Sequence, residues 1–393
     1  MSDTLLVTSR EVELKDQATD VLLQAGLPLA LAQLWGRSGG VRSARLWVAS
    51  DHGMDGVGQA RPVAYLWEVH RRIGAQRVIV GVYCPEADRT GEVVASDEVA
   101  AVRLLIDAVV EEARAAGVLS VKAQVPDDDE VLTPLLQDAA FVELPKAKYC
   151  ASPAFSGTQW RGWVRFLVAP EHLVRLVNIA PIYERQQSDF TCGPASVIMA
   201  LSGTDRHVVG GFDEEMAMWR EATYTYGCCH AGLAAVIARV QMPTMMRVSA
   251  TGPLIGLAPP HAMVSTQLRH QIFEAHRALA LSSGASEVVG ELTLDELIAA
   301  VDRGLRVIVL VDLKPLNGED VPHWVLLWGR VGEYFLLHDP WFDEDFGETW
   351  VETAYQAIKA EDMWAVAAWT ENAGEERGRV ALLLGENLPS SVE

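Results

Sequence analysis

The chain has 393 residues, 50% of them hydrophobic and 22% charged, ordinary composition for a folded protein with room for two sizeable cores. Its net charge of −21, divided as −7 up to residue 150 and −14 beyond, repels phosphate backbones; nucleic acid is not an expected partner, whereas a neutral or cationic peptide or amine is tolerated. No run approaches the length of an apolar membrane span, Met-Ser-Asp-Thr-Leu-Leu lacks the regions of a signal peptide, and the scattered Cys84, Cys150, Cys192, Cys228 and Cys229 suit a reducing compartment, so a cytoplasmic protein without membrane contact is expected.

Residues 1 to 40 are weakly patterned, with a helix from Ala18 to Trp35 broken near Gly26 to Pro28. Stretches 43–50, 62–71 and 76–83 are rich in β-branched and aromatic residues, are bounded by Gly and Pro, and read as strands. From 97 to 116 the apolar residues Val102, Leu105, Ile106, Val109, Val110 and Ala113 keep a 3.6-residue period, which predicts a helix ended by Gly117. A strand from Val118 to Val125, a short helix from Asp129 to Ala139 and a strand from Phe141 to Leu144 follow. This order, closed by Gln-Asp-Ala-Ala-Phe-Val-Glu-Leu, resembles a GNAT-type N-acyltransferase domain. The resemblance implies an Arg/Gln-x-x-Gly-x-Gly/Ala loop that binds the pyrophosphate of acetyl coenzyme A at the start of the long helix. Counted from Arg89, however, the glycine positions hold Glu92 and Val94, and Glu86, Asp88, Glu92, Asp97 and Glu98 surround one arginine. The expectation is a degenerate domain that binds no cofactor and serves as structure or as a dock for a partner. Gly56-Val-Gly58 reads as a hairpin loop, not a phosphate loop.

Residues 151 to 180 read as a connector carrying a strand from Trp163 to Val168 and then Leu173 to Asn178. Next comes Arg-Gln-Gln-Ser-Asp-Phe-Thr-Cys-Gly-Pro-Ala, residues 185 to 195. Pro194 fits the first turn of a helix, so a helix starts at or just after Cys192, running through Leu201 with a stop at Ser202-Gly203. A thiol at a helix N-terminus is where the dipole favours the charged nucleophile. Six residues upstream, Gln186 offers an amide donor to an oxyanion. Together with His323-Trp-Val and His338-Asp-Pro downstream, this pattern resembles the papain-like peptidases that cut double-glycine leaders in bacteriocin export, and more closely their soluble relatives. The resemblance spans roughly residues 181 to 370 and implies a thiol peptidase in which Gln186, Cys192, His323 and Asp339 take the family's four roles, with no metal and no organic cofactor.

The remaining elements are helices at 213–223, 232–240 and 265–281, the last with Leu268, Ile272, Phe273 and Leu279 expected inward. Thr293-Leu-Asp-Glu296 reads as a capping box before a helix that ends at Gly304. Strands at 306–313, 323–330 and 333–338 fit the half-barrel of a papain-like fold, and Val380 to Leu384 is an apolar run within a C-terminal tail. If Arg330, Val331 and Gly332 form a three-residue hairpin loop, His323 lies directly opposite Asp339; a two-residue loop sets it opposite Pro340. His338, the rival base, points away from Asp339 on an alternating strand. The bland alternatives are an inert buried Cys192, a packing His323 and a turn-forming Asp339. Cys228-Cys229-His230 suggests metal, but adjacent cysteines chelate one ion poorly, and a loop before the next helix is the preferred reading. Trp219, Trp324, Trp328 and Trp341 read as core or cleft wall.

The sequence thus predicts an α+β protein: a GNAT-like domain over residues 1–150, a connector over 151–180, a papain-like cysteine peptidase domain over 181–375 and a tail over 376–393. The expected activity is hydrolysis of a peptide or amide bond through an acyl-thioester on Cys192. Acyl transfer to an amine at the same cysteine, or a non-catalytic binding role, is the alternative.

Overall fold

A computed structural model of the chain describes residues 5–14, 18–37, 41–51, 60–85, 96–150, 159–169, 176, 179–223, 226–255, 265–369 and 378–389. The acidic stretch 86–95, the Gly56-Val-Gly58 loop and most of 173–178 lie outside them. Two compact units emerge. The first holds Met1–Lys146, Ala151–Ala169 and Asp343–Glu352; the second holds Ala147–Cys150, Pro170–Phe342 and Thr353–Glu393. Among the described residues each carries a seven-stranded sheet.

In the first unit, β1 (Leu6–Glu13), β2 (Arg42–Asp51), β3 (Arg61–Arg71) and β4 (Gln76–Tyr83) form an antiparallel meander. A helix, Ser96–Ala115, then crosses over and returns the chain to β5 (Ser120–Pro126), which pairs with β4 in parallel, as such a crossover requires. β6 (Val142–Glu143) and β7 (Trp160–Phe166) complete the order β1-β2-β3-β4-β5-β7-β6. This is the strand and helix order expected from the GNAT-type resemblance, and β7 is the strand expected within the connector. The crossover helix buries the six apolar residues its period picked out against one face of the sheet. On the other face lie helices Ala18–Gln24 and Leu29–Trp35, with Trp35 stacked on Trp67. β1 had no counterpart in the sequence reading: most of Leu-Val-Thr-Ser-Arg-Glu-Val-Glu is solvent-facing edge strand, and it shows little apolar alternation.

The loop segment Asp343–Glu352 is built into this first unit by buried polar contacts. Arg42 reaches Glu352 at 3.1 Å and Arg71 reaches Glu348 at 3.0 Å, all four side chains being buried. Lys122, fully buried on β5, donates to the carbonyls of Val351 (3.0 Å) and Glu352 (3.3 Å). Where β4 and β5 part, Gln124 bridges the gap, donating to Val80 O at 3.2 Å and accepting from the Thr349 hydroxyl at 2.6 Å.

The second sheet runs β13-β12-β11-β10-β14-β8-β9. Its members are β8 (Thr244–Val248), β9 (Ser286–Val289), β10 (Arg306–Asp312), β11 (Pro322–Val331), β12 (Tyr334–His338), β13 (Gln356–Lys359) and β14 (Val380–Leu384); β8–β9 is the parallel pair. β14 corrects the reading of residues 376–393 as a tail: Val380–Leu384 is fully buried and sits between β10 and β8. Helix Leu294–Asp302 starts with the complete Thr293–Glu296 capping box. On helix Thr266–Ser282 the expected face is corrected: Phe273 is buried, but Leu268 and Leu279 are 46% and 54% exposed.

Candidate active site

Cys192 is the first residue of helix α5, Cys192–Leu201, every residue of which is buried. (In chain order α1 to α4 are Ala18–Gln24, Leu29–Trp35, Ser96–Ala115 and Leu132–Asp138.) Two features seat this helix against the strand that carries His323. The Ser196 hydroxyl, one turn on from Cys192, donates to Trp324 O on β11 at 3.1 Å. At Gly193 a Cβ would stand about 3.0 Å from Leu233 and 3.2 Å from Trp324, so any larger residue would push these neighbours aside by a few tenths of an ångström.

His323 Nε2 lies 2.7 Å from Asp339 Oδ1, both buried, which turns Nδ1 away from Asp339, and Cys192 is near enough to favour the charged ring. Burial pulls the imidazole down, but the charge of Asp339 and the sulfur of Cys192 outweigh it, and His323 is raised to about 10. Asp339 is held by three further bonds. Its Oδ1 also accepts from Trp341 N (3.0 Å), its N–H donates to Thr353 O (3.1 Å), and the Tyr183 hydroxyl donates to its carbonyl (2.8 Å).

The pairing expected to bring these two together is not the one observed. Val331 and Tyr334 flank a two-residue loop, Gly332-Glu333, with Gly332 at φ +57°, and β11 then takes up one extra residue at Trp328. Beyond that bulge Leu326 faces His338. Continuing this register sets Val325 opposite Asp339, so His323 stands on the same face two residues along, within the diagonal reach of a long side chain. The contact was foreseen, but its geometry was not. His338 points elsewhere: its Nδ1 accepts from Tyr355 N at 3.0 Å, its Nε2 donates to Pro181 O at 3.1 Å, and Tyr183, Trp328 and Tyr355 surround the ring.

Gln186 is buried on the loop before α5. Its N–H donates to Pro340 O at 3.1 Å, beside Asp339, while its side-chain Nε2 donates to Ser188 O at 2.8 Å. The structure therefore brings Cys192, His323 and Asp339 into one chain of contacts and fastens Gln186 to the residue after Asp339. Two residues escaped the sequence reading. Tyr183 carries no local signal. Glu215, on helix α6 (Phe212–Ala222), had one: it falls on the same stripe as Met218 and Ala222, the buried face of that helix. Its Oε1 accepts from Gln187 N at 2.8 Å, and burial pushes its carboxyl up to about 7 against the pull of Thr191 and Gln187.

Cys229 caps helix α7, His230–Arg239, accepting from Gly232 N at 3.3 Å, and stands 3.4 Å from His276 Nδ1. Burial pushes the Cys228 thiol well up and draws His230 down to about 4, leaving both neutral in the core. Among the described residues no three His, Cys, Asp or Glu converge as a metal set. Trp324 and Trp328 are core, Trp324 donating from Nε1 to Cys228 O at 3.0 Å; Trp219 stacks on Phe190. No helix of the described residues is long and apolar enough to cross a membrane.

Residues 180–383 match the model of the Peptidase_C39 like family, and the chain belongs to that family. No curated protein matches it. Solved structures similar to this chain include the ribosomal-protein-S18-alanine N-acetyltransferase from Escherichia coli (13% identity, 42% of this chain and 97% of that one, TM-score 0.27). Another is the IAA acetyltransferase from Bacillus cereus (13% identity, 41% of this chain and 100% of that one, TM-score 0.27).

Proposed function

We propose that this protein is a cysteine hydrolase that cleaves a peptide or amide bond through an acyl-thioester on Cys192. The observation that carries the reading is the buried His323, bonded at 2.7 Å to Asp339 and close enough to a helix-start cysteine, Cys192, to be raised by it. In this mechanism the Cys192 thiol passes its proton to His323, Sγ attacks the carbonyl carbon, and the carbonyl electron pair moves onto oxygen. There it is met by the Cys192 N–H and the Gln186 amide. His323 gives its proton to the leaving amine as the C–N bond breaks. It then takes one from water, whose oxygen displaces the thiolate from the acyl carbon. Asp339 fixes the ring and stabilises its charged form.

Acyl transfer is the second reading, and one observation favours it: the net charge of −14 beyond residue 150 concentrates a cationic amine. Water at about 55 M wins the thioester unless a bound amine gains effective molarity. The test is a single turnover of N-acetyl-glycylglycine p-nitrophenyl ester, an unhindered acyl donor, in water enriched in oxygen-18, with and without a panel of amines. Heavy oxygen in the new carboxylate, absent in Cys192→Ala, supports hydrolysis. An amide adduct dominating at low amine concentration reverses the order of the two readings, and turnover that survives Cys192→Ala sinks both.

A further inference from the structure

The loop from Gln186 to Thr191 must present two groups at once, the Gln186 amide at its start and Cys192 just past its end, yet it has no helix or strand to hold it. Besides the Gln186 N–H bond to Pro340 O and its own turn bonds at Ser188, it is held by one buried carboxylate from another element. We infer that Glu215 is a positioning residue for the oxyanion site, fixing the Gln186 end of this loop from helix α6; the inference rests on the hydrolase reading above.

Glu215 Oε1 accepts from the N–H of Gln187, the residue next to Gln186, at 2.8 Å. The Thr191 hydroxyl, the residue next to Cys192, stands near enough to the same carboxylate to favour its charged form, while making its own bond to Ser188 O at 3.1 Å. Glu215 thus holds the loop one residue inside Gln186, with Thr191 close to the same carboxylate. The clasp is reciprocal. Glu184, on the loop side and two residues before Gln186, accepts with Oε1 from Gly211 N at 2.6 Å, and Gly211 is the N-cap of the helix that carries Glu215. Both carboxylates are buried, and Lys148 is 3.8 Å from Glu184. The second oxygen of Glu215 meets no donor in hydrogen-bond geometry among the described residues. Burying a carboxylate so incompletely partnered is costly, and a helix needing only an apolar contact here would be served better by leucine. The cost is offset by something the loop gains, and the loop carries the oxyanion donor.

The test is a double-mutant cycle between Glu215 and Gln186, read as kcat and KM for the same p-nitrophenyl ester. Glu215→Ala is expected to lower kcat about 10-fold to 100-fold, less than or equal to the roughly 100-fold to 1000-fold cost of a lost oxyanion donor, with KM changed less than about twofold. In a Gln186→Ala background the same substitution should cost less than about twofold, since the group it positions is gone. Glu215→Gln, which keeps an acceptor oxygen for Gln187 N–H, should retain most of kcat. If Glu215→Ala does not fold, Glu215→Asp, whose oxygen is withdrawn by one methylene, goes through the same cycle. An unchanged kcat, or an equal fall in both backgrounds, overturns the inference. The control on the underlying reading is separate: wild-type turnover that Cys192→Ala abolishes. Without that turnover the hydrolase reading falls and takes this inference with it; with it, the cycle decides on Glu215 alone.

Discussion

In the first unit the buried charges answer one another: Arg42 with Glu352, Arg71 with Glu348, and Lys122 with two backbone carbonyls. In the second unit Ser196, Tyr183, Trp341 and Glu215 bond to the residues around Cys192, Asp339 and Gln186, and His323 is paired with Asp339 close to Cys192. The two regions show what separates a structural ionic cluster from a chemical one. Where partners close on each other, the set is replaceable as a set, because its value lies in pairing. Where the supporting bonds fix side chains whose proposed work is chemical, replacing the set would not keep the proposed function.

The strongest way to break this contrast is at the thiol. Cys192→Ala should lower turnover by at least about 10⁴-fold, as loss of a nucleophile does. Iodoacetamide at pH 7 should alkylate Cys192 faster than Cys84, Cys150, Cys228 or Cys229, and His323→Ala should slow that reaction. Mass spectrometry after timed quenching reads both; equal rates at all five cysteines would remove the distinction.

Next in size is the closed network. Arg71→Ala leaves Glu348 buried with Arg42, 3.6 Å away, as a remaining cation and should destabilise the protein by up to about 3–5 kcal/mol in urea unfolding. Replacing Arg42, Arg71, Glu348 and Glu352 together by Met and Leu of similar volume should instead be nearly neutral. A quadruple variant as unstable as the single one would show that the set does more than pair.

A smaller effect sharpens the second region. Because His323 is raised to about 10 by Asp339 and Cys192 despite its burial, kcat/KM should hold its plateau through neutral pH and fall on the alkaline side near 10. Asp339→Asn should move that limb to lower pH. The same shift adds stability that is fully present below the ordinary histidine range and is lost as pH rises through about 10. An alkaline limb that stays in place in Asp339→Asn would mean that another group sets it.

Much of this was legible because it was written locally. The crossover helix α3 announced itself by period, helix Leu294–Asp302 by its capping box, and Cys192 by Gly193-Pro194 at a helix start. What failed depended on partners distant in sequence. Val380–Leu384 is too short to show a period, and only its neighbours β10 and β8 make it a strand. The bulge at Trp328 has no local signature, so the register was missed although the His323–Asp339 contact was not. Leu268 and Leu279 lie on a face that the helical period offered and tertiary packing left exposed. Glu215 sits among acidic first-turn residues that normally serve the helix dipole, and its burial appears only once the loop before Cys192 is in place.

The smallest expected effect is none at all, and it concerns the first unit's expected lack of coenzyme binding. A domain of this strand order binds acetyl coenzyme A, by the resemblance, on backbone N–H groups at the start of its crossover helix. Here the chain leading into that helix carries Glu86, Asp88, Glu92, Asp97 and Glu98 against Arg89, with Glu92 and Val94 where glycines would let the backbone approach a pyrophosphate. Like charge opposes the ligand, and a Cβ at each of those positions narrows the approach. The parting of β4 and β5 is meanwhile bridged from within by Gln124 and Thr349, whose polar atoms are bonded to Val80 and to each other. Calorimetric titration with acetyl coenzyme A should therefore give no binding at millimolar affinity or better, at low as well as physiological salt. The salt series matters because repulsion by carboxylates weakens as the Debye length shortens, whereas a missing backbone cradle does not recover. Weak binding that emerges only at high salt would assign the loss to charge, and a micromolar Kd would restore the first unit as a coenzyme site.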